Sequence, residues 1–308
     1  MRTTTVLPQT TWAAFSCALL VLTGGLLSPA QAQAVDTVLR VAQASPATAA
    51  PQPRQPASPL QAAASASRKW SVYWGWNRST YSNSDIHFWG ADHDFTLSSV
   101  KANDMQADVT TENIFGTFLS PANMTLPQTN LRVAYQVSPD TAWAINLDHM
   151  KYVVTTDQTV GFAGYINNSN STQTGATRTL STNYLNFEHT DGLNVVTVEY
   201  EKQYPVTQWK APFASRWVAL VGAGIVYPKT NVTLNMLGRS RNDQFHLAGY
   251  SAGGGVGWEA DFLDSWFFRS MLKVGYVTLP DVLTSSQGDK ASHNFTYNEF
   301  LFAFGKRF

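Results

Sequence analysis

Residues 293–308 read HNFTYNEFLFAFGKRF, and the even positions Phe300, Phe302, Phe304 and Phe308 are all aromatic. Side chains of a β-strand point alternately to its two faces, so these four share one face. That face is far too greasy for water. The same period of two recurs upstream. WSVYWGWN puts Trp70, Val72, Trp74 and Trp76 together, NLRVAYQV does so for Leu131, Val133, Tyr135 and Val137, and TAWAINL for Trp143, Ile145 and Leu147. NVVTVEYE sets Val196, Val198 and Tyr200 against Thr197, Glu199 and Glu201, and SWFFRSMLKVGY sets Phe268, Leu272, Val274 and Tyr276 against Arg269 and Lys273. An aqueous sandwich would hide the apolar faces inside, whereas a membrane barrel turns them outward and keeps the polar set in its lumen.

Composition and the amino end favour lipid. Hydrophobic residues make up 44% of the 308-residue chain and charged ones only 14%, against about 25% charged in ordinary soluble domains. The formal net charge is zero, and no basic run that would suit a nucleic acid is present. Residues 1–32 read as a secretory signal: Arg2, an apolar core over 12–27 and an Ala-Gln-Ala cleavage site at 30–32. The apolar core is shorter than the roughly 20 residues a spanning helix needs. Cys17, the single cysteine, lies inside it. Residues 33–68 are rich in Ala, Pro, Gln and Ser, and are expected to form a disordered periplasmic linker.

Residues 69–308 are therefore read as a closed antiparallel transmembrane barrel, all-β, of about twelve strands, with eight to twelve admitted by the spacing. Direction bookkeeping gives this count: "SPD" at 138–140 and "LD" at 263–264 serve as periplasmic turns, and the longer polar stretches as extracellular loops. A barrel this narrow has a lumen largely filled by side chains, which disfavours a general porin. A monomer is expected, in contact with outer-membrane lipid and lipopolysaccharide.

All six histidines fall in the barrel region, most of them close to a carboxylate. In SDIHFWGADHDFTL, residues 84–97, Asp85, His87, His93 and Asp94 offer imidazole and carboxylate ligands of the kind that hold a divalent metal, Fe or Zn. Asp148 and His149 adjoin in "DHMKY", ahead of Lys151, and His189 lies near Asp191 in "EHTDG". With Leu147 facing lipid, His149 and Lys151 fall on the outer parity, which places them at the extracellular rim. Such groups serve acid–base or metal chemistry if they converge, and lumenal hydrogen-bond networks if they do not. Arg132, Arg269 and Lys273 point inward, where Glu199, Glu201 and Glu188 can pair with them. "GYSAG" at 249–253 matches the G-x-S-x-G pattern, but a nucleophile elbow needs a strand-turn-helix setting and this stretch reads as a glycine-rich strand.

The carboxyl-terminal stretch, ending in Phe308, resembles the strand by which bacterial outer-membrane barrels are recognised for assembly, which implies the barrel-assembly machinery as a partner; Lys306 departs from that pattern. The blocks "LPQTNLRVAY", "LDHMKYVV", "FEHTDGLN", "GAGIVYPKTNV" and "FHLAGY" resemble a group of bacterial outer-membrane barrel proteins that carry them in this order. More distantly, the acidic-His-x-Lys block followed by "DGLN" and a Gly-rich strand is similar to outer-membrane lipid A oxidases. That likeness implies Asp148, His149, Lys151, His189 and Asp191 as site residues. Two functions follow as expectations: a lipid A-modifying or lipid A-binding barrel acting at the extracellular rim, or a non-catalytic barrel for envelope structure, surface binding or a narrow pore.

Overall fold

The computed structural model describes residues 68–105, 110–112, 114–119, 127–168, 172–206 and 214–308. The signal-like segment and, except for Arg68, the linker lie outside them. Fifteen strands are present: β1 Trp70–Tyr81, β2 Ser84–Trp89, β3 Asp94–Val100, β4 Ala102–Asp104, β5 Thr129–Ser138, β6 Thr141–Val154, β7 Gln158–Tyr165, β8 Gln173–Leu180, β9 Asn186–Pro205, β10 Ser215–Val226, β11 Lys229–Thr233, β12 Asn242–Phe245, β13 Gly249–Phe262, β14 Trp266–Leu283 and β15 Lys290–Arg307. Among the described residues the helical content is one π turn at Ile114–Phe118 and one 3₁₀ turn at Asn235–Leu237.

Eight of these strands close a ring in the order β1-β5-β6-β9-β10-β13-β14-β15, with β15 returning to β1. Every pair is antiparallel. The closing pair runs from Ser71 opposite Arg307 to Tyr81 opposite Tyr297, and the Phe308 amide donates to the Trp70 carbonyl at 2.8 Å. Closure leaves no edge strand, the condition a sheet must meet to cross a bilayer.

The remaining strands stand on the ring as a second tier. β2 continues β1 along the far part of β15, where Lys290 to His293 pair with Trp89 to Ile86. β3 pairs with β2 and β7, β7 with β8, β4 sits on the end of β6, and β11 joins β9 and β12. Short breaks at 82–83, 155–157, 181–185, 227–228 and 246–248 separate the lower piece of a course from its upper piece. The count of about twelve therefore resolves to the lower end of the expected range, because each break reads in sequence as a loop between separate strands.

The outward period-two faces are apolar as expected. Ile145, Val198, Leu272, Phe300 and Phe304 are all more than two-fifths exposed. Trp70, Trp143, Trp217 and Trp266 mark the turn end of this belt, and Tyr227, Tyr250 and Tyr276 its other edge. Leaving a Leu or Phe in water forgoes roughly 1.5–3 kcal/mol each, so lipid is the solvent that this surface fits. Lys306 does not break the belt: its ammonium lies 5.4 Å from the ring centres of Trp266 and Phe308, its stem along apolar surface at the turn end. On β15 the outer face becomes polar above Phe300, at Asn298, Thr296 and Asn294. The upper tier reverses the pattern and buries a large apolar cluster, including Phe88, Phe95, Phe162 and Phe187. The Phe88 ring stacks on Phe95 at 5.1 Å and meets Phe187 edge-on at 5.5 Å.

Candidate functional site: lumen, rim and upper interior

Inward positions of the ring carry a ladder of buried ion pairs. Lys273 Nζ lies 3.0 Å from Asp148 Oδ2 and 3.1 Å from Glu199 Oε1. Arg132 joins Glu199 at 2.8 Å and Glu201 at 2.7 Å, and Arg269 joins Glu201 at 2.7 Å and Glu259 at 2.5 Å. Arg307 also pairs with Glu259. The Tyr73 ring lies 5.8 Å from the Arg132 guanidinium and 5.4 Å from that of Arg269. β14 and β6 are four steps apart in a ring of eight, so the Lys273–Asp148 pair spans the lumen. Glu299, opposite Lys273 across the β14–β15 pair, is 1% exposed, with Asn77 and Lys273 as favourable neighbours and Asp148 and Glu199 as like charges.

The five expected catalytic residues occupy three separate environments. Asp148 is inside the lumen, held by Lys273 and by Asn146 Nδ2 at 2.9 Å. His149, one residue on, has the opposite parity, and its Nδ1 is 2.8 Å from Oδ1 of its cross-strand neighbour Asn194. Lys151 follows on the outer face, half-buried, and its carbonyl accepts from the Tyr81 hydroxyl at 2.9 Å. The β6–β9 register slips between Met150 and Tyr152, and the bulge exposes Asp191, which pairs with Lys229 at 2.8 Å. Hydrogen bonding from Lys229 holds the Asp191 carboxyl below its ordinary range. His189 points into the upper tier.

The candidate metal ligands are similarly divided. His87 Nε2 and Asp94 Oδ1 are 2.9 Å apart on the half-exposed outer face. Asp85 accepts the Ser99 amide at 2.7 Å. His93 is fully buried, with Nδ1 2.9 Å from Asp92 Oδ1. Among the described residues no three of His, Cys, Asp and Glu gather as a metal-ligand set. Ser251 of "GYSAG" lies mid-strand in β13 with no helix following it. Gly249 there is demanded by close packing, since a Cβ would stand 1.9 Å from the Thr278 carbonyl oxygen.

Sequence reasoning missed His293, which has no carboxylate neighbour to draw attention, although it shares the inward parity of Phe295 and Tyr297. It faces His189 with Nε2 to Nε2 at 3.4 Å. The ring centres are 5.6 Å apart and the planes 17° from parallel, so the imidazoles meet nearly tip to tip. His189 Nδ1 is 2.8 Å from Thr230 Oγ1, and Ser84 Oγ is 3.1 Å from the Tyr152 hydroxyl. Phe187, Phe295 and Tyr152 surround the pair. Burial pushes the His293 imidazole down to about 3 and His189 well below the usual range, so both are neutral near neutral pH and one donates its Nε2 proton to the other.

A second missed group crowns the upper tier. Arg239 Nε is 2.9 Å from Asp289 Oδ2, and its Nη2 is 2.9 Å from Asp92 Oδ1. Ser285 Oγ donates to Asp289 at 2.9 Å, and the Asn168 amide to the Asp92 carbonyl at 2.8 Å. Hydrogen bonds from His93 and Arg239 keep the Asp92 carboxyl below its ordinary range. The clamp ties together four links that lie far apart in sequence.

No protein-family model matches the chain, and no curated protein does. Among solved structures it is similar to Ail, the attachment invasion locus protein of Yersinia pestis, solved in complex with the heparin analogue sucrose octasulfate: 11% identity over 78% of this chain and 99% of that one, TM-score 0.30. It is also similar to the outer membrane protein AlkL in DMPC bilayers, at 13% identity over 85% of this chain and 97% of that one, TM-score 0.30. The CymD monoaromatic hydrocarbon channel follows at 10% identity over 78% and 89%, TM-score 0.19. With likenesses this slight, the closed ring and its apolar belt decide the assignment. The chain is an outer-membrane β-barrel. It is not a general porin, because buried ion pairs cross its lumen.

Proposed function

We propose that the protein is a non-catalytic, non-conducting barrel that serves envelope structure and surface binding, with its rim held against lipopolysaccharide. The observation that carries this reading is the ion-pair ladder. Asp148, the acid at the head of the acidic-His-x-Lys block, is bound to Lys273 across the lumen, turned away from His149 and Lys151 and remote in role from a surface substrate. Arg78 and Lys151 stand just above Trp76 and Leu147 on the outer face, at the height of lipid phosphates and sugars, with His149 buried beneath them. Cations there suit anionic headgroups, and the tier above supplies a rigid surface for further contacts.

Mass spectrometry of lipid A from cells with and without the protein tests the catalytic alternative. An unchanged profile is expected; a mass shift that disappears in His149→Ala or His189→Ala variants with verified folding would establish a lipid A-modifying activity and refute the proposal. Reconstitution in planar bilayers tests conductance, for which no steady current is expected from the wild-type chain.

A further inference from the structure

One described turn of the link between β4 and β5 lies against the barrel wall. β4 ends at Asp104 and β5 begins at Thr129, and the two feet of this link are tied together. Gln128 Nε2 donates to the Met105 carbonyl at 2.8 Å and also to the Asp104 carboxylate, whose other oxygen accepts the Ser79 amide at 3.0 Å. The feet stand where the outer wall changes character: Trp76, Leu131 and Leu147 lie below, Arg78 and Lys151 above.

Between the feet, residues Ile114–Phe118 make one π turn, closed by the Leu119 amide on the Ile114 carbonyl at 2.9 Å. Trp76 Nε1 donates to the Phe118 carbonyl at 3.1 Å. This fixes the turn's height, because Trp76 is a lipid-facing residue of β1 whose ring also meets Phe302 at 5.4 Å. Phe118 is buried, while Phe115 is 77% exposed and Leu119 44%. One aromatic thus fastens the turn to the wall, and two large apolar side chains are left exposed.

We infer that the Ile114–Leu119 turn is a membrane-surface anchor, its Phe115 and Leu119 inserted at the boundary between headgroups and acyl chains of the outer leaflet. The occupant follows from continuity: the turn is joined to the upper edge of the apolar belt, so the medium beside it is the one that covers Trp76 and Phe302. Apolar side chains at that depth gain from partial burial in lipid, as interfacial helices do, and the tryptophan N–H that a headgroup would otherwise accept is used to hold the turn in place. The anchor would fix the barrel's depth and rotation at one point of its circumference.

Cys17 is the single cysteine, which makes site-specific labelling direct. In a Cys17→Ser background, Phe115→Cys and, for reference, Gln287→Cys on the exposed crown are labelled with an environment-sensitive nitrobenzoxadiazole dye and reconstituted in phosphatidylcholine vesicles. The dye at 115 is expected to emit blue-shifted and more brightly than at 287. It should be quenched by lipids bearing a doxyl group near the headgroup end of the chain and shielded from aqueous iodide. Emission and iodide quenching equal to those at 287 overturn the inference. So does a blue shift that doxyl lipids leave unquenched, the result that cover by a second copy would give. Heat-modifiable gel mobility verifies that each labelled ring has closed, and Leu119→Cys gives the same reading if Phe115→Cys does not fold.

Discussion

At the scale of single residues, the lumen obeys the arithmetic of buried charge. Removing one partner of a buried pair costs about 3–5 kcal/mol, because the other charge stays behind without compensation. Arg269→Leu takes one arginine from each of two buried acids, leaving Glu201 with Arg132 and Glu259 with Arg307, and should lower the unfolding free energy obtained from urea titration by about the lower end of that range. Glu299→Gln should act in the opposite sense. Its carboxyl is buried beside two other acids, Asp148 and Glu199, so the amide of equal shape removes a like-charge repulsion and leaves the midpoint unchanged or raised. Equal loss of stability in the two variants would refute the distinction. The histidine pair carries a pH dependence of definite sign. Both imidazoles titrate below their unfolded value of about 6.5, so the unfolded upper tier binds protons that the folded one refuses. Stability is full above about pH 6.5 and declines as pH falls from there toward the folded value of about 3. Protease resistance of the upper tier, followed from about pH 7.5 to about pH 4, should fall in the wild type and stay level in a His189→Gln/His293→Gln variant.

At the scale of elements, the breaks between tiers explain what could and could not be read from the chain. The spanning faces were legible because each alternates over a whole strand: Trp70 to Trp76 and Phe300 to Phe304 lie outward as expected, and Arg132, Arg269 and Lys273 inward. Of the acids, Glu199 and Glu201 pair with those cations as expected, whereas Glu188 bonds to Asn231 instead. The upper tier was opaque because its strands are three to eight residues long and divided by short breaks, so residues 79–93 and 156–180 look like polar loops although they contain paired strands. His189 and His293, 104 residues apart, meet only through register, which no local pattern reports. The β3–β7 contact illustrates how tight this tier is. Gly164 has φ +126°, and a Cβ there would stand 2.1 Å from the Asp94 carbonyl oxygen. Gly164→Val is expected to open the β3–β7 pairing, seen as new proteolytic cleavage near 92–94 and 164–168, while the heat-modifiable shift of the closed ring persists.

At the scale of the molecule, a ring of eight courses carries two interiors of opposite kind: charged inside lipid and apolar above it. The expected filled lumen follows from strand number, since eight strands enclose just enough room for side chains, while the apolar upper core has no counterpart in the sequence reading. Of the fifteen strands, β14 and β15 run through both tiers as one hairpin, paired from Trp266 opposite Lys306 to Leu283 opposite Lys290 with a single irregularity between Leu279 and Val282. β9 also reaches the upper tier, at Phe187 and His189, but its pairing with β6 slips at a bulge between Met150 and Tyr152; the remaining courses are spliced or end where the tiers meet. The hairpin is therefore the mechanical spine of the protein. A pull on the crown is carried down this ladder in shear, with many hydrogen bonds sharing the load, whereas the spliced courses yield at their breaks. In a single-molecule pulling experiment the upper tier should unravel first from β2 to β8, and the hairpin should let go last, together with the ring.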